Sequence, residues 1–116
     1  MALDRGFLQS LPAAKPEVVT VPEWAGAVRL RALSGTERDA VMTSLPENAP
    51  GKVDMRQYRA RLVAACAVDD ADAPLLTVDE ALGLDETQAS ALLRLFNAAT
   101  RINGLRPEDA EAAKGN

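Results

Sequence analysis

Three groupings of side chains have the types and spacing that could do chemistry. The run Asp69-Asp70-Ala71-Asp72 sets three carboxylates within four residues and invites a calcium reading. It lacks the central glycine and distal glutamate with which an EF-hand loop closes on its ion, so it reads as a solvated turn. Cys66, the single cysteine, lies between Ala65 and Ala67 on an apolar stripe, and the chain has no histidine to activate a thiol. It reads as a buried structural thiol, and one cysteine excludes an internal disulfide or a Cys-rich zinc site. The third grouping is arginine. Arg56, Arg59 and Arg61 crowd one helical stretch, Arg94 and Arg101 stand seven apart on another, and Arg29 and Arg31 alternate along a strand-like run. Guanidinium suits carboxylate recognition and protein contact. Among 17 acidic residues, the arginines read first as a solvated face of ion pairs, and second as a surface for an acidic partner. Trp24, the single tryptophan, sits in a turn, where it serves either as a partner anchor or as a cover for the end of a sheet. A glycine-rich phosphate loop, a nucleophile elbow and a paired-carboxylate motif are all missing from the sequence. No catalytic, cofactor or metal residue is therefore assigned, and a non-enzyme is expected.

The elements that must position these residues follow from length and pattern. A chain of 116 residues is one domain and buries roughly two-thirds of the surface exposed when unfolded. Hydrophobic residues are 47% and charged residues 26%, a globular balance, and at 3% aromatic the core must be mostly Leu, Val and Ala. The net charge of −4 disfavours nucleic acid and anionic membranes. The longest apolar run, Leu62 to Val68, is far short of a membrane span, and the first residues lack a secretory pattern, so a cytoplasmic protein is expected.

Residues 3–11 predict a short helix with Leu3, Phe7, Leu8 and Leu11 on one side, ended by Pro12 and Pro16. Residues 17–33 predict a β-hairpin turning at 22–26, with Val28, Leu30 and Ala32 facing the core and Arg29 and Arg31 facing water. Ser34 with Glu37 is a capping box for a helix over 35–45, followed by a loop at 47–52. Asp54 caps a helix over 55–68 with Met55, Tyr58, Leu62, Ala65 and Cys66 at core spacing. Thr77 with Glu80 caps a short helix to Leu82, which Gly83 ends. Asp85 and Gln88 open a longer helix whose core stripe is Ala89, Leu92, Leu93, Phe96 and Ala99, closed at Asn103-Gly104. A last helix is predicted at 107–113. The fold class is α+β and mostly α: an N-terminal β-hairpin packed on four to five helices in one domain, 1–116, with 1–14 and 107–116 as mobile ends.

The run Val19-Thr20-Val21-Pro22-Glu23-Trp24-Ala25-Gly26, continued by Val28 to Arg38, resembles the tail assembly chaperones of long-tailed, non-contractile phages and prophages. That family has a similar hairpin and cap, then an Arg- and Ala-rich helix (here 58–64), an acidic turn and Pro-Leu segment (69–76), and a closing Asn-Gly corner (101–105). Ala25 stands where the family carries glycine. The resemblance implies a non-enzymatic role in virion morphogenesis: binding the tape measure protein, keeping it soluble and helping to recruit tail tube protein. It implies self-association and a place in the host bacterial cytoplasm rather than in the mature virion. Trp24, Arg29, Arg31, Arg56, Arg59, Arg94 and Arg101 are the expected partner-binding residues. It also implies a longer product made by a −1 ribosomal slip, for which Ala113-Lys114-Gly115 can encode a suitable heptamer. Two other roles stay open on the residues alone: a head–tail adaptor, and a small nucleic-acid-binding regulator using Arg56, Arg59 and Arg61.

Overall fold

The computed structural model describes residues 2–12 and 14–105. The predicted helix at 107–113 and the slip site at Lys114-Gly115 lie outside the described residues. The fold is α+β, about 52% helical, which makes helices the main support for a small antiparallel sheet.

Local sequence explains the hairpin. Strand β1 (Glu17–Val21) pairs antiparallel with β2 (Gly26–Leu30), Val19 opposite Val28 and Val21 opposite Gly26. Pro22–Trp24 form one 3₁₀ turn, and Ala25, at φ 51°, closes it in the left-handed region. Val21, Val28 and Leu30 are buried as the alternation requires. Ala32 is exposed instead of facing the core, because β2 stops at Leu30 and Leu33 takes the buried place beyond it.

Both capping boxes form. Ser34 Oγ accepts the Glu37 amide at the start of α2 (Gly35–Ser44), and Thr77 Oγ1 accepts the Glu80 amide at the start of α4 (Val78–Thr87). Asp54 caps α3 (Met55–Cys66) by accepting the Arg56 and Gln57 amides. Residues 47–52, expected as a loop, hold a small ladder of β3 (Glu47–Ala49) and β4 (Lys52–Val53). The end of the predicted third helix is also extended. Ala67–Val68 is strand β5, paired with Arg29 and Leu30, which gives a sheet ordered β1-β2-β5.

Gly83 does not end its helix. It lies within α4, which runs on to Thr87. The break comes at Gln88, whose backbone (φ −137°, ψ 47°) ends α4 and precedes α5 (Ala89–Ile102). Asp85 therefore belongs to the interior of α4 rather than to a cap. The α5 core stripe is Ala91, Leu92, Leu95, Phe96, Ala98 and Ala99; Leu93 is 49% exposed and Ala89 is exposed. The stripe lies on one edge of the predicted one, shared at Leu92, Phe96 and Ala99. Phe96 meets the buried Tyr58 ring of α3 edge-to-face at 5.3 Å, which fixes the helix rotation.

Helix α5 packs on β1 and α3, so the hairpin's apolar face, Val21 and Leu30 included, shares one core with Leu92, Leu95 and Tyr58. The N-terminal helix α1 (Arg5–Gln9) is shorter than predicted. Asp4 caps it by accepting the Phe7 amide, and it contributes no buried residue.

Candidate functional site

Arginine comes first, because the sequence places most of its expected contacts there. Each of the six arginines expected to touch a partner has an acidic or carbonyl neighbour within the chain. Arg29 donates to the Asp69 carbonyl at 2.9 Å and pairs with Asp72 at 3.1 Å. Arg31 makes a two-pronged contact with Glu37. Arg56 pairs with Glu86, and Arg59 with Asp85 at 3.0 Å, which joins α3 to α4. Arg94 reaches Glu23, and Arg101 reaches Glu17. These last two explain the spacing of seven: it places both guanidinium groups on one side of α5, two turns apart, where they hold the helix to the two ends of β1 and its turn.

Hydrogen bonds from Ser90 and then Arg94 hold the Glu23 carboxyl at about 2, well below its ordinary range. Arg31, helped by the Ser34 amide, holds Glu37 at about 2 as well. Burial pushes the Cys66 thiol up to about 11, and the side-chain amide of Asn103 donates to its sulfur at 3.4 Å. The thiol stays protonated and covered at neutral pH. Asp69 turns its carboxylate inward on its own loop, accepting the Ala71 and Ala73 amides at 2.8 and 3.0 Å. Among the described residues no three His, Cys, Asp or Glu side chains group as metal ligands, and no helix is long and apolar enough to cross a membrane.

An apolar surface lies open beside Trp24. Its indole N–H donates to the Gln88 side-chain oxygen at 3.2 Å, so the hairpin turn is tied to the α4–α5 break. The ring is 37% exposed and forms one wall of an apolar groove of about 180 Å³. Val28, Leu75, Leu76, Leu84 and Leu95 complete the walls over Ala67. A second hollow shares the walls Val28 and Leu75 and is lined beyond them by Arg29, Asp69 and Asp70. Trp24 thus covers the sheet end, as one of its two readings expected, and keeps part of its surface open to solvent. The rest of the groove was not read from the sequence. Its signal was the pair Leu75-Leu76 directly after Pro74, two leucines outside any helix, with Leu75 left 47% exposed.

The walls of this groove are aliphatic side chains and one indole. Compared with known proteins, the chain matches no family model, no curated protein and no solved structure.

Proposed function

We propose that this protein is a non-enzymatic tail assembly chaperone of a long-tailed, non-contractile phage or prophage. It binds the tape measure protein, keeps that long helical polypeptide soluble and helps to recruit tail tube protein. The observation that carries the reading is Ala25. The chain's hairpin holds a left-handed residue at the first of two adjacent turn positions where the resembled family carries glycine, the residue that conformation favours, and it keeps the second glycine as Gly26. A shared backbone requirement inside the most distinctive block of the sequence supports common descent of that block better than its apolar pattern does.

The groove beside Trp24 supports the same reading in chemical terms. A chaperone for an amphipathic helix needs an open apolar surface with an aromatic wall, and this one is preformed. A nucleic-acid-binding role draws less support. The arginines it would use are occupied: Arg56 by Glu86, Arg59 by Asp85, and Arg61 by the Gln57 side chain.

The test is co-expression with the long open reading frame downstream of this gene, followed by capture through a tag on this chain. Trp24→Ala and Leu75→Asp are the informative variants, since both residues line the groove and are partly exposed. Arg59→Glu is a poor probe, because it would set a carboxylate against Asp85.

A further inference from the structure

Of the four asparagines, Asn103 alone precedes a glycine. The fold demands both residues of that pair. Asn103 is buried, and its side chain accepts the Leu33 amide at 2.7 Å and donates to the Ala99 carbonyl at 2.9 Å and the Cys66 sulfur at 3.4 Å. Gly104 closes the end of α5 at φ 63°. A Cβ at Gly104 would meet nothing within 4 Å, so backbone conformation and not crowding selects the glycine. Together these two needs make a reactive pair: a side-chain amide next to a backbone nitrogen that no side chain shields. We propose that Asn103-Gly104 is a self-modification site, held shut by the fold and opened by fraying of the last turn of α5.

In the reaction the Gly104 nitrogen gives its proton to hydroxide and bonds to the Asn103 Cγ. The Cγ–Nδ2 bond breaks, and Nδ2 takes up a proton and leaves as ammonia. Water then opens the resulting succinimide at either carbonyl, leaving aspartate or isoaspartate at position 103. Three features hold the folded corner back. At ψ 1° the backbone nitrogen of Asn103, not its Cβ, eclipses the Gly104 nitrogen, so the ring closes only after the Cα–C bond turns. The side chain must also give up its three hydrogen bonds. The Gly104 N–H is itself held by the Arg101 carbonyl at 3.2 Å. All three features lie in the last turn of α5 and the corner after it, and helix ends open at lower cost than the whole fold. Conversion is one-way. An oxygen replaces the nitrogen that donated to Ala99 and Cys66, so a carboxylate faces a carbonyl and the cover over Cys66 is lost. This inference concerns the chain alone and does not depend on the chaperone reading.

The experiment incubates the natural chain at mildly alkaline pH beside a synthetic peptide of residues 99–105. Peptide mass spectrometry follows the change from amide to acid, and isoaspartate is assayed separately. The folded chain converts at Asn103 while Asn48 and Asn97 keep their amides. It converts about a hundredfold or more slowly than the peptide, because only the opened corner reacts. Both aspartate and isoaspartate form, as a succinimide requires. Urea below the unfolding transition leaves the rate within about twofold, since fraying exposes little surface. Converted chains are labelled at Cys66 faster than unconverted chains of the same sample. Asn103→Asp reproduces that labelling, and the aged natural chain carries the test by itself should this variant fail to fold. The proposal is overturned by conversion at Asn48 or Asn97 ahead of Asn103, or by a folded chain that converts as fast as the peptide. Aspartate without isoaspartate would equally overturn it, as would conversion that begins only at the unfolding transition, or converted chains whose Cys66 is labelled no faster.

Discussion

Leu33 and Asn103, 70 residues apart, are joined by a 2.7 Å hydrogen bond from the Leu33 amide to the Asn103 side-chain oxygen. The nitrogen of the same side chain donates to the Ala99 carbonyl and the Cys66 sulfur. One buried side chain thus ties the exit of the hairpin, the end of α3 and the end of α5. Asn103→Ala leaves a buried amide without its acceptor and should cost about 1–3 kcal/mol. It should also expose Cys66 through local opening. Urea denaturation and the rate of thiol labelling check both; unchanged stability with unchanged labelling would remove Asn103 from this role.

The rotation of α5 makes a pair of neighbouring leucines unequal. Leu92 is fully buried against the hairpin and α3, whereas Leu93 faces outward. Leu92→Ala should cost about 2–5 kcal/mol. Leu93→Ala should stay within about 0.5 kcal/mol of the natural chain. Equal losses at the two positions would mean that the helix is turned differently.

At Ala25 the left-handed backbone costs an alanine about 1–2 kcal/mol, part of which a glycine returns through its greater freedom when unfolded. Ala25→Gly should therefore raise stability by about 0.5–1 kcal/mol. Thermal melting decides, and a lower melting temperature would contradict the assigned turn.

Glu23 and Glu37 have carboxyl groups held at about 2 in the folded chain, against an ordinary value of 4.5. A depressed folded value means that their contribution to stability is complete above 4.5 and is lost as pH falls toward about 2. Stability should decline across that window, and Glu23→Gln should make the decline shallower. A variant whose acid limb runs parallel to that of the natural chain would show that the Glu23 contacts with Ser90 and Arg94 do not matter for folding.

The features legible in the sequence were those governed by a few adjacent residues. Ser34 with Glu37 and Thr77 with Glu80 announce their helices because both halves of each box lie within one turn. Val18 to Val21 announces a strand because β-branched side chains suit nothing else so well. What stayed hidden depends on distant partners. Ala67–Val68 becomes a strand only because Arg29 and Leu30 lie beside it, since two residues carry no alternation of their own. Gly83 looked like a stop, but it keeps a helical backbone inside α4, so packing against α3 overrides its weak propensity. The arginines read first as a face of ion pairs and do form them, but the partners stayed hidden because the sequence does not show that Glu17, Glu23, Asp85 and Glu86 lie opposite them. Trp24 was read as a site with two uses, but its groove needed Leu75, Leu84 and Leu95 from three separate segments.

The central claim concerns the client. With the downstream long reading frame co-expressed, the tagged chain should bring its product into the soluble fraction and co-purify with it. Trp24→Ala and Leu75→Asp should each weaken that capture severalfold while circular dichroism stays that of the natural chain. A downstream product that stays insoluble and uncaptured in the presence of the folded natural chain would contradict the chaperone reading, and full capture by both variants would move the binding surface away from the groove.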